Sequence, residues 1–199
     1  MTLQTELRDA PGRLSLALLL AVALPAPAAA QATGEIVVDA RRDGARIEVH
    51  ARVALEASRS LIWEVVTDYE RLPDFVPGIL ASRILWRSGA RLLIEQSGEA
   101  RFLLFRFPIE VRLEVTETPP AALVSRAVGG NLRQLDGRYE IHLEPSRRVA
   151  ILTYSGSIEP DFPLPPLLGV IAMRSMIEER FTAMAREIER RAAAHARSR

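Results

Sequence analysis

The hydrophobic pattern of this chain changes period once, and the place where it changes limits the fold more than any other feature. From Leu80 to Ile158 apolar and polar residues alternate in short segments, the spacing of strands whose two faces meet different surroundings. The segments are separated by Ser88-Gly89, Ser97-Gly98, Pro119-Pro120, Gly129-Gly130 and Pro145-Ser146, which leaves no length for crossover helices. Connections that short require antiparallel pairing. Ile109, Val111, Leu113 and Val115 would face inward against Glu110, Arg112, Glu114 and Thr116, and Tyr139, Ile141 and Leu143 against Arg138, Glu140, His142 and Glu144. Beyond Pro163, Pro165 and Pro166 proline disappears. Leu167, Val170, Met173, Ile177, Phe181, Met184 and Ile188 then recur every three or four residues, the stripe of one amphipathic helix of roughly six or seven turns.

The preceding segment adds a strand and a short helix. Arg46 to Leu55 alternates, with Ile47, Val49, Ala51 and Val53 on one face. Ser58 or Ser60 can cap a helix carrying Leu61, Ile62, Val65 and Val66. Pro73 and Pro77 then forbid a regular helix over Tyr69 to Ile79, which is expected as a compact turn holding Phe75 and Val76.

Composition decides which functions are open. A chain of 199 residues with 48% hydrophobic and 26% charged residues suits a single folded domain. A net charge of +1 and dispersed basic residues argue against a nucleic-acid partner. All 26 basic residues are arginine, which removes Schiff-base and P-loop lysines. With no cysteine, and with His50, His142 and His195 far apart, no metal and no cofactor are expected. Arg8 and Arg13, an apolar run from Leu14 to Leu24, and small residues through Ala28, Ala29, Ala30, Gln31 and Ala32 have the form of a secretory signal peptide. The run is shorter than the roughly 20 residues of a membrane span. The expected organisation is a cleaved leader over 1–32, a flexible segment over 33–45 and the domain over 46–196, placing the mature protein in the periplasm or outside the cell.

The order of elements, together with Val53 to Gly78 and the Glu159 to Gly169 segment that opens the terminal helix, resembles the START-like SRPBCC superfamily. Within it the likeness is to the bacterial polyketide cyclase/dehydrase and coenzyme-Q-binding type. The first stretch carries Asp68-Tyr69, Leu72-Pro73 and Phe75-Val76-Pro77 in family order. The resemblance implies an α+β helix-grip fold: a curved antiparallel sheet of about six or seven strands wrapped around the C-terminal helix, with a hydrophobic cavity between them.

The lining is expected from Met173, Ile177, Phe181 and Met184 on the helix and from Phe102, Leu104, Val111, Leu113, Tyr139 and Tyr154 on strands. Each would serve an ordinary core equally well. Arg174, about 60° from the centre of the helix's apolar face, would either hold a carboxylate or phosphate or pair with Glu178 one turn on. The two tyrosines would orient a carbonyl or quinone oxygen, or bond to backbone. Phe75 and Val76, with Phe162, Leu164 and Leu167 in the proline-rich loop, would gate the mouth and touch a membrane surface transiently, or simply pack over the open end of the sheet. There is no catalytic signature. The expected function is a carrier for an apolar small molecule or lipid. The alternatives are a cyclase/dehydrase-type enzyme using Tyr139, Tyr154, Arg174 or an inward carboxylate such as Glu95, and an accessory domain that binds nothing.

Overall fold

The computed structural model describes residues 34–102, 105–144, 149–161 and 166–198; the leader stretch, residues 1–32, lies outside them. β1 (Val37–Asp43) and β2 (Arg46–Leu55) form a hairpin, and α1 (Arg59–Val66) follows. Ser58 caps α1 by accepting a hydrogen bond from the Leu61 N–H at 3.2 Å. A 3-10 turn over Tyr69–Arg71 leads into a single helical turn, α2 (Leu72–Phe75). The segment expected as a turn is therefore helical, because Pro73 stands in the first turn of α2, where its missing N–H costs nothing.

The remaining strands are β3 (Ile79–Ser88), β4 (Arg91–Phe102), β5 (Phe105–Thr118), β6 (Ala122–Gly130), β7 (Leu132–Glu144) and β8 (Val149–Pro160), and α3 (Pro166–Arg197) closes the chain. All eight strands join one antiparallel sheet in the order β1-β2-β8-β7-β6-β5-β4-β3. Extra residues in β3, β6 and β7 shift the register against their neighbours, the irregularities that bend a sheet. The fold is the helix-grip arrangement.

Three local expectations need correction. The segment over 33–45 expected to be flexible contains β1, paired with β2 from Val37↔Arg52 to Asp43↔Arg46. Its two arginines and two aspartates hide the strand in the sequence, yet Val38 is buried and the charges suit a sheet edge. β4 runs straight through Ser97-Gly98, where a break was expected. Gly98 is needed there for close approach, since a Cβ on it would collide with the Gly78 carbonyl at the start of β3. Leu143, expected inward, is exposed near the end of β7.

α3 has 32 residues, about nine turns, because it continues through the alanine- and arginine-rich tail. Met173, Ile177, Phe181, Met184, Ala185 and Ile188 form its buried stripe. They join Val49, Val53, Ile62, Val65, Leu92 and Leu152 in one core, where each large apolar side chain stabilises the fold by about 1.5–3 kcal/mol.

Candidate functional site

α3 lies mainly on β1, β2 and α1, so it covers one side of the sheet. α1 and the Tyr69–Phe75 segment reach over other strands, chiefly β7 and β3. Between these covers and the sheet a cavity of about 130 Å³ remains. Its apolar wall includes Val66 and Leu72 from the helical segment and Ile94, Val115 and Leu123 from the sheet, all buried. Gln96, Ser125, Tyr139, Tyr154 and Arg180 are its polar members, apart from Tyr69, with Met184 one turn beyond Arg180 on α3. Two wider hollows, of about 350 and 470 Å³, are grooves bordered by charged residues such as Arg59, Arg138 and Glu140, or Arg41, Glu48 and Asp136. Of these three hollows, the space between helix and sheet is the one walled by core side chains.

Tyr139 and Tyr154 are cross-strand partners on β7 and β8, with ring centroids 4.8 Å apart. Phe181 backs both rings at 6.2 and 6.4 Å. Tyr154 occupies the space over a second cross-strand pair, Gly137 and Gly156; a Cβ on Gly156 would overlap its hydroxyl and ring. Among the described residues no hydrogen bond engages the hydroxyl of Tyr139 or Tyr154. Burial raises both phenols, Tyr154 to about 12 with a smaller upward push from Asp136, while Arg180 works against both shifts. Both stay neutral donors at physiological pH. Tyr69, which also lines the cavity, donates its proton to Glu117 at 2.9 Å, and Arg87 donates to the same carboxylate at 2.9 Å. That hydroxyl is already used.

Arg180 is the unexpected member. Its Nη2 lies beside Gly78, and its Nε is buried with no hydrogen-bond partner. Burial lowers its pKa and the neighbouring tyrosines resist that shift, but a guanidinium remains charged across the accessible range. The sequence carried a signal for it, since Arg180 falls three residues after Ile177 and four before Met184, beside the apolar stripe. Arg174, the arginine expected at the mouth, is exposed on the opposite flank of α3.

Of the other expected lining residues, Leu113, Tyr139, Tyr154, Met184 and the gate residue Val76 border the cavity. Val111, Met173, Ile177 and Phe181 are buried in the core but do not border the cavity. Phe75 packs under Arg191, whose guanidinium carbon is 5.8 Å from the ring centroid. Phe102 ends β4 opposite Phe105, and Leu167 lies in the first turn of α3, but their side chains are outside the described set; Leu104, Phe162 and Leu164 lie outside the described residues altogether. Glu95 faces away from the cavity. Arg83 and Arg112 donate to it at 2.9 and 3.1 Å, and Arg83 above all holds its pKa down. Among the described residues no group of three His, Asp or Glu is placed to hold a metal ion.

A sheet gripping a terminal helix, with a largely apolar hollow between them, defines a START-like protein. A profile of the polyketide cyclase/dehydrase and lipid transport family matches residues 55–185, and the chain belongs to that family. No curated protein matches the sequence. Among solved structures, the fold is similar to a STAR-related lipid transfer protein from Xanthomonas axonopodis, with a TM-score of 0.63 and 14% identity over 79% of this chain and 98% of that one. A START superfamily protein from Mycobacterium smegmatis gives 0.61 and 19% over 72% and 97%. An aromatase/cyclase from a Streptomyces species gives 0.61 and 15% over 74% and 96%. At these identities the likeness is one of fold.

Proposed function

We propose that this chain is a binding or carrier protein for an apolar small molecule, held in the hollow between sheet and α3, and that it works in the periplasm or outside the cell. The observation that carries the reading is the lining itself: apolar walls with a few inward polar groups, the usual make-up of a small-molecule site. The leader-like N-terminus supports export. Leu168 and Ile171 are exposed on the first turns of α3 and support transient contact with a membrane surface during exchange. Catalysis of the cyclase/dehydrase kind is less well served. The described lining offers two neutral phenols and a guanidinium as donors, but no carboxylate or imidazole to take a proton, and Glu95 points the other way.

Organic-solvent extraction of protein purified from its native compartment is expected to release a bound molecule detectable by mass spectrometry. The stripped protein is expected to bind a hydrophobic fluorescent probe and to sediment in part with lipid vesicles. Failure to bind any hydrophobic probe overturns the carrier reading, and absence from the vesicle pellet overturns the membrane contact.

A further inference from the structure

We infer that the cavity takes a small monocarboxylic acid, its carboxylate on Arg180 and its hydrocarbon part, about one ring in size, against the apolar wall. This rests on the carrier reading and narrows it to a ligand class. The first ground is the state of Arg180. A guanidinium whose Nε is buried without an acceptor is a costly feature unless something supplies the missing partner. No described residue does so: Glu187 is bonded to Arg190 and Arg191 and Asp68 to Arg191, while the neighbouring Glu179 acts on Arg180 through its charge and makes no hydrogen bond to it.

The second ground is the company Arg180 keeps. Tyr139 and Tyr154 border the same hollow, with hydroxyls that no described residue engages. Three donor groups around one space without an anionic acceptor among the described lining complement a group that only accepts. One positive charge balances a monoanion. A phosphate monoester, close to doubly charged, would bring an uncompensated charge into an apolar site.

Size supplies the third ground. The hollow measures about 130 Å³, near the roughly 150 Å³ apolar cavity known to accept benzene. An aromatic or short branched acid fits such a space, whereas a long acyl chain does not. Tyr69 and Leu72 at the apolar end are held by the core and, for Tyr69, by the bond to Glu117, so this volume is built in.

The test titrates the solvent-stripped full chain with benzoate, hexanoate, hexadecanoate, phenyl phosphate and the neutral analogues benzamide and hexanol, read by calorimetry. Benzoate and hexanoate are expected to bind at least about tenfold more tightly than their neutral analogues, the scale of one charge-assisted hydrogen bond. In Arg180→Gln the acids should lose their advantage and bind no more tightly than the neutral compounds. The wild-type comparison alone decides the matter if that variant does not fold. Equal binding of acids and neutral analogues overturns the Arg180 anchor and leaves the carrier reading standing. Tighter binding of phenyl phosphate overturns the monoanion assignment, and tighter binding of hexadecanoate overturns the size limit. If neither acids, neutral analogues nor a hydrophobic probe bind, the carrier reading falls with it.

Discussion

A methyl group added at Gly156 would claim space that the Tyr154 hydroxyl and ring already occupy, and one at Gly137 across the ladder would press less closely, 3.0 Å from Ser125 Oγ and 3.1 Å from the Tyr154 ring. The two glycines are there so that a phenol can lie along the sheet instead of standing up into the hollow. Gly156→Ala forces the ring off its site and is expected to cost about 1–3 kcal/mol, the range for overpacking a fitted core. Thermal unfolding reads that loss. In a Tyr154→Phe background the same substitution should cost less, because the atom it meets most closely is gone; equal costs in both backgrounds would count against the cradle. None of this was legible beforehand, since Tyr154 could be assigned a face from alternation but not the direction in which its ring leans.

Elements are held together at a different point. Arg191 on α3 donates to Glu187 on its own helix at 2.7 Å, to Glu64 on α1 at 3.0 Å and to Asp68 just beyond α1 at 2.6 Å. Glu187 and Arg191 are each only 8% exposed, because their flank of α3 meets α1. Arg190 and then Arg191 hold the Glu187 carboxyl well below its ordinary 4.5, at about 2. The folded value lies below the unfolded one, so the stability this pair contributes is complete above pH 4.5 and is lost as pH falls toward 2. Arg191→Met is expected to cost about 2–4 kcal/mol, somewhat below the loss of a fully buried pair because Glu64 remains half in water. Denaturant unfolding at neutral pH measures it, and the gap between variant and wild type should narrow in acid; a gap independent of pH would mean that packing on Phe75, not charge, is what Arg191 supplies.

For the molecule as a whole the tyrosines give a clean readout, because the chain contains only three and all of them border the cavity. Burial raises the pKa of each above the ordinary 10, Tyr154 to about 12 and the others further. With folded values above unfolded ones, the stability they contribute is complete below pH 10 and is lost as pH rises toward and past 12. Tyrosinate absorbance is therefore expected to stay flat through pH 10 and to rise in one step together with the loss of circular dichroism. An independent rise near pH 10 with the fold intact would show that water reaches the phenols freely, and that the hollow is an open cleft.

By itself the sequence determined the order of elements, the antiparallel pairing, the wet and dry faces of β2 and β5, and the single terminal helix, because each is a repeating pattern within one segment of chain. It overlooked β1, whose alternation is blurred by charges at an edge, and broke β4 at Gly98, where turn composition served a close backbone approach instead. Arg174 and Arg180 lie about 60° to either side of the centre of the α3 stripe, and periodicity treats them alike. Which of the two looks into the cavity depends on the side of the sheet along which α3 is laid. Only the tertiary structure decides that, as it alone decides where helix and sheet fail to meet: a hollow is the mismatch between several packed surfaces and belongs to no one segment.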